Sequence, residues 1–382
     1  MEPKKLVIST EILKDLVSKA VKGCSMVEAI PLTCYMELLV TQENDKKMLK
    51  ITTTDFVNYL TMSAELTEAE ELHAVVDAKL FASLVSKLTT ATTAISVQDG
   101  KVVVTANGTY NFPIKTDNDG SWIRFPEQKA ESLIEQSRLS NLQIKSILTL
   151  SKSCKADMKE VPTLYNYYMD NERVLTTDFY KVCSNPVKVF NDATCLAPEF
   201  VELLPVVADD NGVTIQCNDT EVVVYSLKGK LHGKKCLPEE VTAYPVNDLV
   251  QTIQEKLNYA CKINRTLLIN ALDRICLFTG AFQSNQVTVT FTKSNVAIKS
   301  GANEGQEVIH YLAPIDTQEE INFSCDIDGS FFKNQLASCT REDLTLNFGS
   351  DSGIQIVCDN VVLILSTLGD EEDTFEQSES EA

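Results

Sequence analysis

Apolar and polar positions along the chain follow an order that returns three times: a stretch with helical spacing, strands, a second helical stretch, and closing strands. In STEILKDLVSKAVKG, residues 9–23, Ile12, Leu13, Leu16, Val17 and Ala20 lie on one face behind a Ser9/Thr10 cap and before Gly23, which predicts an amphipathic helix. AVVDAKLFASLVSKLTT then reads as a short strand entering a helix, and AISVQDGKVVVTANGTYNFPIKT as a hairpin turning at Asp99-Gly100. The second round is RLSNLQIKSILTLSKSCK, with Leu139, Leu142, Ile147 and Leu150 at helical spacing, followed by ATCLAPEFVELLPVVAD and GVTIQCNDTEVVVYSLKGKL. The third uses weaker letters: NRTLLINALDRICLFTG for the first helix, QVTVTFTKSNVAIKSG for a strand pair, FSCDIDGSFFKNQLASC for a strand and the second helix, and DLTLNFGSDSGIQIVCDNVVLILSTL to close. The polar stretches near 126–134 and 247–257 read as links.

One motif marks the repeat. ITTTDFVNYL at 51–60 and VLTTDFYKV at 174–182 place Asp55 and Asp178 123 residues apart, about a third of the chain. Thr favours strands, and Asp accepts backbone N–H bonds where a strand turns, so each motif reads as a strand end. In the third round SGAN around Ala302 takes its place. The fold class is therefore α+β, built from tandem units.

Composition removes several alternatives. Hydrophobic residues are 44% and charged residues 23%, the usual mix of a globular protein. No apolar run approaches the roughly 18 residues of a membrane span, and MEPKKLVISTEILKDL lacks signal-peptide features, so a location inside the cell, the cytoplasm, is expected and no membrane partner. The twelve cysteines, from Cys24 to Cys358, form no CxxC pair and read as reduced thiols. His73, His232 and His310 are the only histidines, and GxSxG, Walker and GxGxxG motifs are missing. Neither an enzyme nor a bound cofactor or metal is expected. The net charge of −20 argues against a uniformly basic, nucleic-acid-coating surface.

The order of units, with IPLTCYMELLV after the first helix, LTTDFYKVCS in the middle, Tyr244-Pro245 at the second boundary and NVVLILSTL near the end, resembles the bacterial DNA polymerase sliding clamp, the beta clamp or DNA polymerase III beta subunit family, over residues 4–368. The resemblance implies three clamp domains, 1–126, 127–248 and 249–369, each with two helices and two small antiparallel sheets, and an acidic tail at 370–382. It implies a head-to-tail homodimeric ring whose helices line a hole. Such a ring is a processivity factor in DNA replication: it holds double-stranded DNA topologically, without sequence preference, tethers the replicative DNA polymerase and is opened by an ATP-dependent clamp loader. The letters match poorly enough to imply a divergent or phage-type member.

That picture reconciles the net charge. The six helical stretches together carry +8 and the remainder −28. The DNA-facing candidates are Lys14, Lys19, Lys79, Lys87, Arg138, Lys145, Lys152, Lys155, Arg265, Arg274 and Lys333. One departure is the loop GCSMVEA, which has no Arg where such clamps place one. By position, the family's partner-peptide pocket falls on Leu164, Thr177, Asp178, Tyr180, Lys181 and Val182, with Pro245, Leu249 and Val250 at the boundary and Gly353, Val362, Ile364 and Leu365 at the end. A peptide carrying Gln followed by Leu or Phe would suit it. Phe179 stands where Gly is usual, Lys181 where Arg is usual, and LILST replaces a Met-rich, Pro-containing ending, so a narrower choice of peptides is expected. The acidic tail reads as a solvated, disordered segment, with shielding of the pocket by Phe375 or the tail carboxylates as the alternative. At the ring joint, Phe112 is expected to meet Leu277 and Phe278 of the partner subunit. The alternative is an interaction scaffold on the same fold that does not encircle DNA, favoured by the missing loop Arg and by Glu199 and Glu202 on the 197–206 helix.

Overall fold

The computed structural model describes residues 5–43, 45–67, 69–157, 161–255, 257–279, 285–300, 305–349 and 353–368. Gly301, Ala302 and Asn303 of the SGAN segment and the acidic tail lie outside them. The helices are α1 (Thr10–Ala20), α2 (Ala78–Lys87), α3 (Asn141–Thr149), α4 (Pro198–Val201), α5 (Leu204–Val207), α6 (Pro238–Thr242), α7 (Val246–Gln254), α8 (Arg265–Ile275) and α9 (Gly329–Ser338). None is long and apolar enough to cross a membrane.

Side-chain caps fix where three of these helices begin. Asp77 accepts from Leu80 N before α2, Asn264 from Leu267 N before α8, and Asp328 from Ser330 N and Phe331 N before α9. Each satisfies an N–H that a helix start leaves without an internal partner. The Asp99-Gly100 hairpin forms as expected, with φ of 48° and 71° giving the left-handed pair that a two-residue turn requires.

The chain divides into two compact units, one holding the residues up to Ile144 with Leu196–Cys236, the other Lys145–Cys195 with Leu237 onward. The repeat period marks thirds, but the middle third contributes to both units. The reason lies in the sheets. Instead of two small sheets per third there are two four-stranded sheets and two eight-stranded ones, and each eight-stranded sheet joins strands of different thirds. Pairing two strand edges satisfies the backbone groups that each would otherwise expose.

In the first unit the eight strands run in the order His73–Asp77, Tyr35–Glu43, Lys46–Thr54, Tyr59–Leu66, Gly229–Lys234, Glu221–Tyr225, Val213–Cys217 and Ile134–Leu139. Its seam pairs Gly229 with Met62 and Leu231 with Leu60. A Cβ at Gly229 would stand 2.4 Å from the Thr61 carbonyl oxygen, so only glycine lets the two backbones approach. Helix α1 packs on α2 and on the Tyr59–Leu66 strand. In the second unit the order is Thr194–Leu196, Tyr167–Met169, Val174–Thr177, Lys181–Asn185, Val361–Leu365, Ile354–Cys358, Asp343–Phe348 and Tyr259–Asn264, with α8 packed on α9. A core of Leu268, Leu272, Phe291, Phe332, Phe348, Ile356 and Leu363 fills it.

Three expectations are corrected. The 197–206 helix is broken into α4 and α5, because Pro205 has no N–H and its ring would meet the Val201 carbonyl of a continuous helix. The stretch 138–155 begins in a strand, so Arg138 lies on Ile134–Leu139. The polar link at 247–257 contains α7, whose Leu249 is buried. The twelve cysteines are thiols, seven buried and five half-buried.

Candidate functional site

Both Thr-Thr-Asp-Phe motifs close a strand in the same way. In the second unit Asp178 Oδ1 accepts from Tyr180 N at 3.0 Å and Lys181 N at 2.7 Å, while Thr177 Oγ1 accepts from Phe179 N and donates to the Lys181 carbonyl. In the first unit Asp55 Oδ1 accepts from Val57 N and Asn58 N, and Thr54 repeats the hydroxyl bonds. Phe56 and Phe179 are left-handed, with φ of 85° and 75°. The strand that follows each turn is the seam strand: Val182 pairs with Ile364 and Lys181 with Leu365. The motif therefore sets the start of the seam. Only the second copy adds a shielded ion pair: Lys181 Nζ lies 2.9 Å from Asp178 Oδ2 and 4.2 Å from the Phe331 ring centre, with the two side chains 13% and 10% exposed.

This makes the turns unequal. Removing the acceptor in Asp55→Ala should cost about 1–3 kcal/mol, and Asp178→Ala about 3–5 kcal/mol because it also strands a shielded ammonium. Thermal unfolding of the two variants checks the order; a smaller loss in Asp178→Ala would contradict it.

The residues carried over to the partner pocket all belong to the second unit, but most point inward. Leu164, Thr177, Val182, Leu249, Ile364 and Leu365 are buried, and Gln335 Nε2 donates to the Ile364 carbonyl at 2.9 Å. Pro245, Val250 and Val362 are half-buried. The exposed pair is Phe179 and Tyr180, each 59% exposed on the turn. Tyr244 stacks on Tyr168 at 5.4 Å and donates to the Leu175 carbonyl, with burial pushing its hydroxyl well above the usual range. A hollow of about 690 Å³ in this unit lies along α7, lined by Asn247, Asp248, Val250, Gln251 and their helical neighbours.

The candidate DNA-facing cations separate into two groups. Lys19 pairs with Asp15, Arg138 with Glu135, Lys333 with Asp273, and Arg274 grips Glu307 through two bonds of 2.6 Å. That grip holds the Glu307 carboxyl below its usual range. Arg265 donates to the Cys339 carbonyl and is a structural tie. Lys155 lies over the Tyr165 ring at 4.1 Å, and Lys152 is exposed on the turn after α3. Lys14, Lys79, Lys87 and Lys145 have no carboxylate partner among the described residues.

At the candidate ring joint, Phe112 is 4% exposed and packs edge-to-face on Phe81 at 5.4 Å. A cavity of about 170 Å³ lies beside it, lined by Asp77, Leu80, Pro113 and Lys115. Leu277 and Phe278 are 81% and 47% exposed.

No protein-family model matches the sequence, and no curated protein does. Solved structures match over nearly the whole chain. The DNA polymerase III beta subunit of Thermotoga maritima superposes with a TM-score of 0.79 at 15% identity, covering 96% of this chain and 99% of that one. The fold is that of a bacterial sliding clamp. The sliding clamp of Pseudomonas aeruginosa bound to griselimycin gives a TM-score of 0.80 at 14% identity, and the Helicobacter pylori beta clamp bound to a DNA ligase peptide 0.76 at 13%, each covering 96% of this chain and 100% of its own. The clamp fold is thus kept with few letters in common.

Proposed function

We propose that the protein is a DNA polymerase processivity factor: a non-catalytic clamp whose head-to-tail homodimer closes a ring on double-stranded DNA and tethers a replicative polymerase through short peptides. The observation that carries this is the clamp fold spanning 96% of the chain. In this reading the thirds 1–126, 127–248 and 249–369 are the clamp domains, Leu277 and Phe278 supply exposed apolar anchors for the joint, and an ATP-dependent loader opens the ring. The peptide bound to the Helicobacter pylori clamp supports peptide docking here, with Phe179, Tyr180, Pro245, Val250 and Val362 as its accessible part. For that pocket to accept a side chain, buried residues such as Leu164, Val182 and Leu249 must give way by a rotamer change or small shift, a common event at interfaces.

The cations without carboxylate partners carry the DNA contact. Lys79→Glu, Lys87→Glu and Lys145→Glu together should lower the salt dependence of DNA association by about 0.9 in log–log slope for each phosphate no longer neutralised. Binding measured across a salt series checks this, and an unchanged slope would remove these lysines from the interface. A scaffold that does not encircle DNA is the second reading, favoured by the ties of Lys19, Arg138, Arg274 and Lys333 to carboxylates. Retention on nicked circular DNA separates the two.

A further inference from the structure

Two cysteines that the clamp reading leaves unused meet within the second unit. Cys339 follows the last residue of α9, and Cys358 ends the strand Ile354–Cys358. Their side chains are hydrogen-bonded to each other. Both are buried, 2% and 1% exposed, but Thr340, Arg341, Asp359 and Asn360 beside them are exposed, so the sulfurs lie just beneath the surface. An Arg341–Asp359 ion pair joins the same two stretches, and Arg265 Nη1 donates to the Cys339 carbonyl at 2.7 Å. No group of three or more potential metal ligands forms among the described residues, so the two thiols are not part of a larger ligand set.

The two sulfurs are unlike. Cys358 Sγ accepts from the Cys339 thiol and from the backbone N–H groups of Thr340 and Arg341, and these donors pull its ionisation below the usual range against the effect of burial. Cys339 is the donor. Its bond to Cys358, and then burial, push its thiol up, and its sulfur also lies 3.4 Å from the Gln335 carbonyl oxygen. Burial is the largest influence on Cys154, Cys183 and Cys261 and pushes all three up. A sulfur held ready to ionise beside a protonated one is the arrangement of a nucleophile and its resolving thiol.

We propose that Cys358 and Cys339 form a reactive dithiol that a small hydroperoxide converts to a disulfide. The Cys358 thiolate attacks one peroxide oxygen, the O–O bond breaks, and the sulfur becomes a sulfenic acid while the departing oxygen takes up the thiol's proton. Cys339 then gives up its proton and attacks the Cys358 sulfur, forming the S–S bond and expelling the hydroxyl as water. With hydrogen peroxide, two thiols are oxidised and one peroxide is reduced to two waters. The bond ties the end of α9 to the hairpin whose second strand, Val361–Leu365, pairs with Lys181–Asn185. Neither step depends on DNA encirclement.

The full chain is treated with hydrogen peroxide, its remaining thiols are alkylated in denaturant, and its peptides are analysed by mass spectrometry. A Cys339–Cys358 cross-link, two hydrogens lighter than its separate peptides and reversed by dithiothreitol, is expected. In Cys339→Ser the reaction should stop at a Cys358 sulfenic acid that dimedone traps, at least about tenfold faster than any adduct forms at Cys261. Recovery of both thiols alkylated after peroxide overturns the proposal, and so do equal rates at Cys358 and Cys261. A first cross-link from Cys339 to Cys183, which also raises the Cys339 thiol, overturns it as well. The cross-link is read on the parent chain, so the test stands even where Cys339→Ser fails to fold.

Discussion

Alanine at Gly353 should destabilise the second unit by about 3 kcal/mol or more. Gly353 sits at φ +129°, a region open essentially to glycine, where the chain enters the Ile354–Cys358 strand. An added Cβ would stand 2.1 Å from the Leu365 carbonyl oxygen and 3.0 Å from Ser366 Cα. Both are backbone atoms of the seam, and neither can swing aside as a side chain would. Gly100 is the control: its φ is +71°, but a Cβ there meets nothing within 4 Å, so Gly100→Ala should cost about 1 kcal/mol. Unfolding midpoints of the two variants decide this, and equal losses would show that the close approach at Leu365 contributes nothing. The family position of Gly353 suggests pocket lining, yet its geometry lets the Ile354–Cys358 strand approach Leu365 on the seam strand.

In the proposed ring, changing Leu277 and Phe278 together to Asp should turn the dimer into a monomer while leaving the fold of each chain intact. Both side chains stand on the turn after α8 and are 81% and 47% exposed, so their removal opens no cavity within the chain. As central apolar anchors each would contribute about 2–4 kcal/mol to association, and buried carboxylates would add a desolvation cost. The dissociation constant should weaken by at least about a thousandfold. Phe112→Ala should do the reverse. With Phe112 at 4% exposure against Phe81, truncation costs about 3–5 kcal/mol of folding stability before any effect on the joint. Sedimentation equilibrium beside calorimetry reads both quantities, and a persistent dimer in the double Asp variant would remove Leu277 and Phe278 from the joint.

What could be read from the sequence followed local physics. The Asp99-Gly100 hairpin and the Thr-Thr-Asp-Phe turns form from a few adjacent residues, and they stand where the letters placed them, whereas the Ser9/Thr10 cap expected for α1 makes no side-chain cap bond. Long-range pairing was not legible. No local signal says that Gly229–Lys234 will join Tyr59–Leu66, so small separate sheets were expected where eight-stranded ones form. Helix α7 was missed because Asn247, Asp248, Gln251 and Gln254 surround Leu249, Val250 and Ile253 and give the stretch a linker's composition. The pocket residues were placed by family position, and position does not report exposure. Val361–Leu365 is buried almost throughout, so its apolar run offers no outward face to read. A concave face in the first unit left a fainter trace: Thr52, Thr61, Ser63 and Lys230 are polar positions on neighbouring strands that read as ordinary solvated residues, and together with the segment Trp122–Gln128 they line a hollow of about 1270 Å³.

Encirclement is tested most directly by light scattering of the protein alone, followed by its retention on nicked circular DNA with a clamp loader before and after the circle is cut. A closed ring predicts a particle of about twice the 42.3 kDa chain mass that stays on circles through a high-salt wash and leaves when they are linearised. A monomer, or a dimer whose retention is the same on circular and linear DNA, would contradict it.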